Sequence, residues 1–353
     1  MGYRSKRSLG GRSAVLLWLT IFTLVTRGLG QQSAPKPGEP PVVHGGTVEN
    51  WSSLPLTGGE LRPEKPTFGE KDDKPLFTRE LIQVKWRQGD PIDLYIIKPK
   101  GVAKPPIVLY LYSYPSESDR FLNDDYCVRL TRDGVAAIGF VSALTGHRYA
   151  MRPMKEWFVS ELQEALGKSV HDVQMILNFL SDREDLDLSR VGMFGAGSGG
   201  TIAILSAAVD PRIQAVDLLD PWGDWPKWMA ESSIIPENER PDYLKPEFLK
   251  KVEPLEPIHW LPQLKSTRIR IVDVMDDAVT PQEAKEKLDA AAPPMATVVR
   301  YQDSGKFFQA VSGGRMFDWV KDQVRPAVAE KPPAQNVSTT QPATRRVEPG
   351  HDD

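Results

Sequence analysis

Residues 190–203 read RVGMFGAGSGGTIA. An apolar run, Val191 to Phe194, meets a cluster of glycines and then a helix-forming run from Thr201 to Ala208. That succession predicts a strand turning sharply into a helix, a bend that needs positive φ and close backbone approach. Such a bend can hold a hydroxyl at its tip. The hydroxyl attacks a carbonyl when an imidazole takes its proton and a carboxylate holds the imidazole. Counted from the strand, Gly195 and Gly199 bracket the bend and the tip falls on Gly197, which has no side chain. A hydroxyl stands one residue later. If the bend shifts by one, Ala196-Gly197-Ser198-Gly199-Gly200 also flanks a serine with small residues, which makes Ser198 the candidate nucleophile. The strand length favours Gly197 at the tip. Either way the backbone N–H of Ser198 can donate to an oxyanion.

The elements that must position this bend follow in chain order. Leu81 to Trp86, Ile92 to Ile97, Ile107 to Tyr112 and Val135 to Val141 read as strands. Leu162, Leu166, Val170, Val173, Leu177 and Leu180 recur at helical steps on one long amphipathic helix. After the glycine-rich strand come strands at Ile213 to Leu219, Ile269 to Val274 and Ala296 to Tyr301, with helices at Gln282 to Ala291 and Phe317 to Val324. Strands alternating with helices imply an α/β fold, a mostly parallel sheet with helices on both faces. Functional groups then lie beyond the carboxyl ends of the strands. Residues 221 to about 262 are rich in Trp and Pro and read as an irregular insertion over the sheet edge.

The chain divides into four parts. In residues 1–30, five cations and no acid surround a compact apolar run from Ala14 to Val25, as in an export signal, cleaved or retained as an anchor. Residues 31–76 are Pro- and Gly-rich and are expected to be mostly irregular; 77–325 form the folded domain; 326–353 form a disordered tail. With five of the cations in the signal, the net charge of −3 leaves −8 on the remainder. That balance disfavours nucleic acid and anionic membrane as partners. A periplasmic or secreted location is expected, with membrane contact only through an uncleaved signal. Cys127 is the lone cysteine, so no internal disulfide forms.

From residue 77 to 325 the sequence resembles the α/β-hydrolases, nearest to the dienelactone-hydrolase and prolyl-oligopeptidase-like branches. The resemblance rests on the glycine-rich bend, on Glu256-Pro257-Ile258-His259-Trp260 before a strand, and on Val274-Met275-Asp276-Asp277-Ala278-Val279-Thr280-Pro281. It implies that Asp277 is the acid of a Ser-His-Asp triad. It also exposes departures. Lys306, in Ser304-Gly305-Lys306-Phe307-Phe308, stands where the family has histidine, and Tyr112-Ser113-Tyr114 replaces a common His-Gly. A charged lysine is a poor base unless desolvated. The expected arrangement is therefore a structural Lys306–Asp277 ion pair and a degenerate triad.

His147 follows a strand and, with Tyr112 and Ser113, is expected to line the pocket. His171 is expected on the surface of the long helix, and His259 in the insertion; His44 and His351 fall in the leader and tail. Trp222, Trp225 and Trp228 recur every three residues and are expected to cover the sheet edge rather than stack a ligand. No metal-ligand spacing is present, and no cofactor is expected. Two functions remain open: an exported hydrolase-fold protein that binds without cutting, or an ester or peptide-like hydrolase using Ser198, Asp277 and Lys306 or His147. A small-molecule or peptide-like ligand suits both.

Overall fold

A computed structural model describes residues 49–56, 62–87, 90–114, 119–144, 154–264 and 267–325. The export signal, half of the leader, the tail, His44, His147 and His351 lie outside the described residues.

Nine strands form one sheet among the described residues: β1 (Thr67–Asp73), β2 (Phe77–Val84), β3 (Ile92–Pro99), β4 (Pro106–Leu111), β5 (Ala136–Phe140), β6 (Asp187–Ala196), β7 (Ile213–Leu219), β8 (Arg268–Val274) and β9 (Thr297–Tyr301). Their spatial order is β1-β2-β3-β5-β4-β6-β7-β8-β9. β1, β2 and β3 pair antiparallel, as do β3 and β5; the strands from β5 through β4 to β9 run parallel. β4 is buried along its whole length, as a strand covered on both faces must be. Successive residues point to opposite faces. Ile107, Leu109 and Leu111 therefore join the larger core, while Val108 and Tyr110 join the smaller one.

The helices are α1 (Asp124–Thr131), α2 (Met154–Leu180), α3 (Ser198–Val209), α4 (Trp225–Glu231), α5 (Arg240–Tyr243), α6 (Pro246–Val252), α7 (Pro257–Trp260), α8 (Gln282–Ala291), α9 (Ser304–Val311) and α10 (Asp318–Val324). Leu166, Val170 and Leu177 of α2 pack in the larger core with Ile202 and Leu205 of α3. Val320 and Val324 of α10 close the smaller one.

Four expectations need correction. The folded domain starts before residue 77, because β1 lies in the leader and pairs with β2. The insertion is not irregular: α4 to α7 fill it, and Trp222, Trp225 and Trp228 are fully buried in the main core. Pro at the first turn of each of these helices starts it with a preset φ, which the scattered prolines concealed. The stretch around Lys306 is the start of α9 and not a loop.

His171 is the fourth. It is buried on α2, with Nδ1 2.5 Å from Glu49 Oε1 and Nε2 2.7 Å from the Ser53 carbonyl. The same Glu49 accepts two bonds from Arg87, at 2.5 and 2.8 Å, and Arg87 donates to Asp172 at 2.6 Å. Burial alone would raise the Glu49 carboxyl; the charge and hydrogen bonds of Arg87 and His171 hold it far below its usual range. Residues 49–56 are thereby fastened over a helix face that the sequence presents as polar.

Candidate functional site

β6 ends at Ala196, and the backbone turns at Gly197 with φ 52° and ψ −119°. A residue with a Cβ is strained in this conformation, and glycine at the tip adopts it without that strain. The turn is tied down on both sides. Gly197 N–H donates to Leu219 O at 2.8 Å, and Gly197 O accepts from Trp222 N–H at 3.3 Å and Thr201 N–H at 3.2 Å. The flanking glycines permit close approach: a Cβ on Gly195 would lie 2.3 Å from Gly199 O, and one on Gly199 would lie 2.5 Å from Leu111 O.

The space above the tip is filled. A Cβ on Gly197 would stand 2.2 Å from Ser113 Oγ, 2.7 Å from Ser113 Cβ and 3.0 Å from Trp222 Nε1. Ser113 thus sits where an attacking side chain would project. The Trp222 indole N–H beside it is buried with no hydrogen-bond partner among the described residues.

Ser198 opens α3 and is fully buried. Its Oγ accepts a hydrogen bond from Tyr114 N–H at 2.9 Å. One backbone donor from the loop after β4 is therefore occupied by the serine itself. Tyr112 is half-buried in an aromatic cluster: Arg120 lies 3.6 Å above its ring, Phe194 is 5.9 Å away, and its hydroxyl meets that of Tyr126. Tyr112 thus packs partly buried against the smaller core, and burial raises its hydroxyl above the usual phenol range.

The acid and cation positions also differ from expectation. Asp277 accepts from Thr280 N–H at 3.1 Å, which closes the turn after β8. The cation beside it is Lys285 of α8, 3.9 Å away, and not Lys306. Lys306 lies in the first turn of α9, its side chain 61 % exposed, with Nζ 3.7 Å from Asp303. The expected Lys306–Asp277 pair is absent because Asp303 caps α9 through Lys306 N–H and turns that side chain to solvent. Among the described residues no hydrogen bond or ion pair joins Ser198, Asp277 and Lys306.

Sequence reasoning missed Lys285. It is 1 % exposed, pairs with Asp220 at 3.0 Å and donates to the carbonyls of Val274 and Asp277. The signal was available: Ala284, Lys285 and Leu288 share the buried stripe of α8, so helical spacing sets a lysine among apolar positions. Asp220 has φ 44° and Asp224 has φ 53°, the two positive values outside glycine among the described residues. They bracket Trp222 and mark a strained return from β7.

In overall fold the chain is similar to the acetyl xylan esterase from Paenibacillus sp. R4, with TM-score 0.60 and 16 % identity over 75 % of this chain and 90 % of that one. It is similar to acetyl xylan esterase 1 from Thermoanaerobacterium sp., with TM-score 0.56 and 16 % identity over 73 % and 88 %. It is also similar to 2,6-dihydroxy-pseudo-oxynicotine hydrolase, with TM-score 0.51 and 18 % identity over 67 % and 66 %. The protein has the α/β-hydrolase fold. No family model matches the sequence, and no curated relative does. The tip of the bend after β6 in this fold is Gly197. No group of side chains that could hold a metal ion occurs among the described residues, and no described helix is long and apolar enough to cross a membrane.

The acids under this site titrate unusually. Burial pushes Asp220 up to about 6, against the pull of Lys285. Burial, then the charge of Asp289, pushes Asp273 up to about 8. Both folded-state values exceed the unfolded one. The native state therefore holds protons that the unfolded chain has released, and stability falls as pH rises from about 4 through 8. Carboxylates shifted the other way, such as Glu49 and Asp185, lose their contribution only below that window. The expected result is a melting temperature that declines between pH 5 and 8.5, with an Asp273→Asn variant flattening the upper part. Thermal melts across that range check it; a rising melting temperature would contradict the assignment.

Proposed function

We propose that this exported α/β-hydrolase-fold protein has lost the standard Ser-His-Asp chemistry and works by binding a small-molecule or peptide-like ligand, as a receptor or scaffold. One observation carries the reading: the nucleophile's seat is a glycine whose side-chain space is taken by Ser113 and Trp222. The surroundings support it. The Ser198 hydroxyl is buried against Tyr114 N–H, Asp277 closes its own turn, and Lys306 faces solvent. Catalysis of acyl transfer needs nucleophile, base and orienting acid in mutual contact. The structural neighbours include proteins named esterases; this chain shares their fold at identities of 16 % and would need all three groups to share their chemistry. Export rests on the amino-terminal signal, and the net charge of −3 supports neither nucleic acid nor anionic membrane as partner.

A fluorophosphonate probe, incubated in excess with the purified protein, is expected to leave every serine unmodified. Short-chain p-nitrophenyl esters are expected to hydrolyse at the rate of buffer alone, with or without Ser198→Ala. Peptide mass spectrometry locating the probe on Ser198 or Ser113 would overturn the proposal.

A further inference from the structure

Away from the bend, α4, α6, α7 and α8 enclose a cleft of about 680 Å³. That volume lies in the range of about 300–1,000 Å³ typical of small-molecule sites. Its apolar wall is Trp225, Pro226, Pro246, Leu249 and Ile258. None of Gly197, Ser198, Ser113 or Asp277 lines it, so it stands apart from the hydrolase position.

Three acids, Asp224, Glu253 and Glu256, and two lysines, Lys250 and Lys287, line the cleft, with His259 beside them. Asp224 pairs with Lys287 at 2.6 Å, and Lys287 also meets Glu283 at 3.3 Å. Glu256 is buried and accepts from the amides of Asp224, Trp225 and Ile258 at 2.9, 2.7 and 3.3 Å. Two exposed rim charges remain without an ion-pair partner among the described residues, Lys250 and Glu253, opposite in sign and three residues apart. With acids in excess, such a cleft offers a ring-sized apolar body a place out of water and gives an anion no surplus of positive charge. The strained backbone of Asp224, held by Glu256 on one side and Lys287 on the other, keeps the wall in shape without a ligand.

We propose that this cleft is a binding site for an uncharged, mainly apolar ring compound. The site stands whether or not the bend after β6 retains chemistry, so the two readings fail separately.

A matched probe pair tests it: N-phenyl-1-naphthylamine, which is uncharged, and its sulfonated analogue 1-anilinonaphthalene-8-sulfonate. Fluorescence titration of the full chain is expected to show one saturable site for the uncharged probe and at least tenfold weaker binding of the sulfonate. Leu249→Trp, which fills the cleft, is expected to weaken the uncharged probe at least tenfold. Glu253→Lys changes only an exposed residue, leaves the fold intact, and is expected to narrow the gap between the probes by making the rim basic. Absence of saturable binding, equal binding of the two probes, or a gap untouched by Glu253→Lys overturns the proposal.

Discussion

Replacing Lys285 with methionine is expected to lower stability by about 3–5 kcal/mol, the usual cost of removing one partner from a buried ion pair. Methionine matches the stem of lysine in length, so packing changes little and the effect is electrostatic. Three acceptors converge on Lys285 Nζ: the Asp220 carboxylate at 3.0 Å and the carbonyls of Val274 and Asp277. Without the ammonium, Asp220 loses its cation, burial pushes its carboxyl higher still and the group is driven to take up a proton, with Val274 N–H at 2.9 Å as its remaining contact. A second change, Asp220→Asn, then removes the buried acid that lost its partner and is expected to recover part of the loss. Urea unfolding of the two single variants and the double variant checks this as a cycle. A loss below about 1 kcal/mol for Lys285→Met would show that the pair does not hold the β8 turn.

Placing a serine at Gly197 is expected to harm the protein rather than to confer ester hydrolysis. Gly197→Ser adds a Cβ at 2.2 Å from Ser113 Oγ and imposes φ 52° on a residue with a side chain. Overpacking costs about 1–3 kcal/mol and a strained non-glycine backbone a comparable amount, so about 2–4 kcal/mol is expected. Adding Ser113→Gly removes the clashing atoms and is expected to restore most of the stability. Even that double variant is expected to stay inactive on p-nitrophenyl esters. The described histidines are elsewhere: His171 is held by Glu49 and Ser53, and His259 lies at the cleft. Thermal melts read the first effect and ester assays the second. Turnover by Gly197→Ser alone would mean that the loop after β4 yields readily and that a base is at hand.

The sequence by itself determined much of this fold. Alternating and continuous apolar runs identified β4 to β9, and helical spacing identified α2 and, to the residue, α8, because such patterns follow from which side of an element meets water. The glycines at 195 and 199 gave away the sharp bend, since a Cβ at either would meet backbone, and Gly197 takes the positive φ between them without strain.

Only the tertiary structure decided where the charges went. Lys306 and Lys285 are both lysines near Asp277 in the chain. One is 61 % exposed and the other is buried, and the difference comes from Asp220, brought in from the end of β7. His171 looked like a surface residue until Glu49, over a hundred positions away, covered it. The serine that fills the space above Gly197, Ser113, comes from a loop after another strand. Periodicity reports the average environment of a face, whereas an ion pair or a filled cavity depends on a single atom delivered from a distant segment, and no local pattern carries that information.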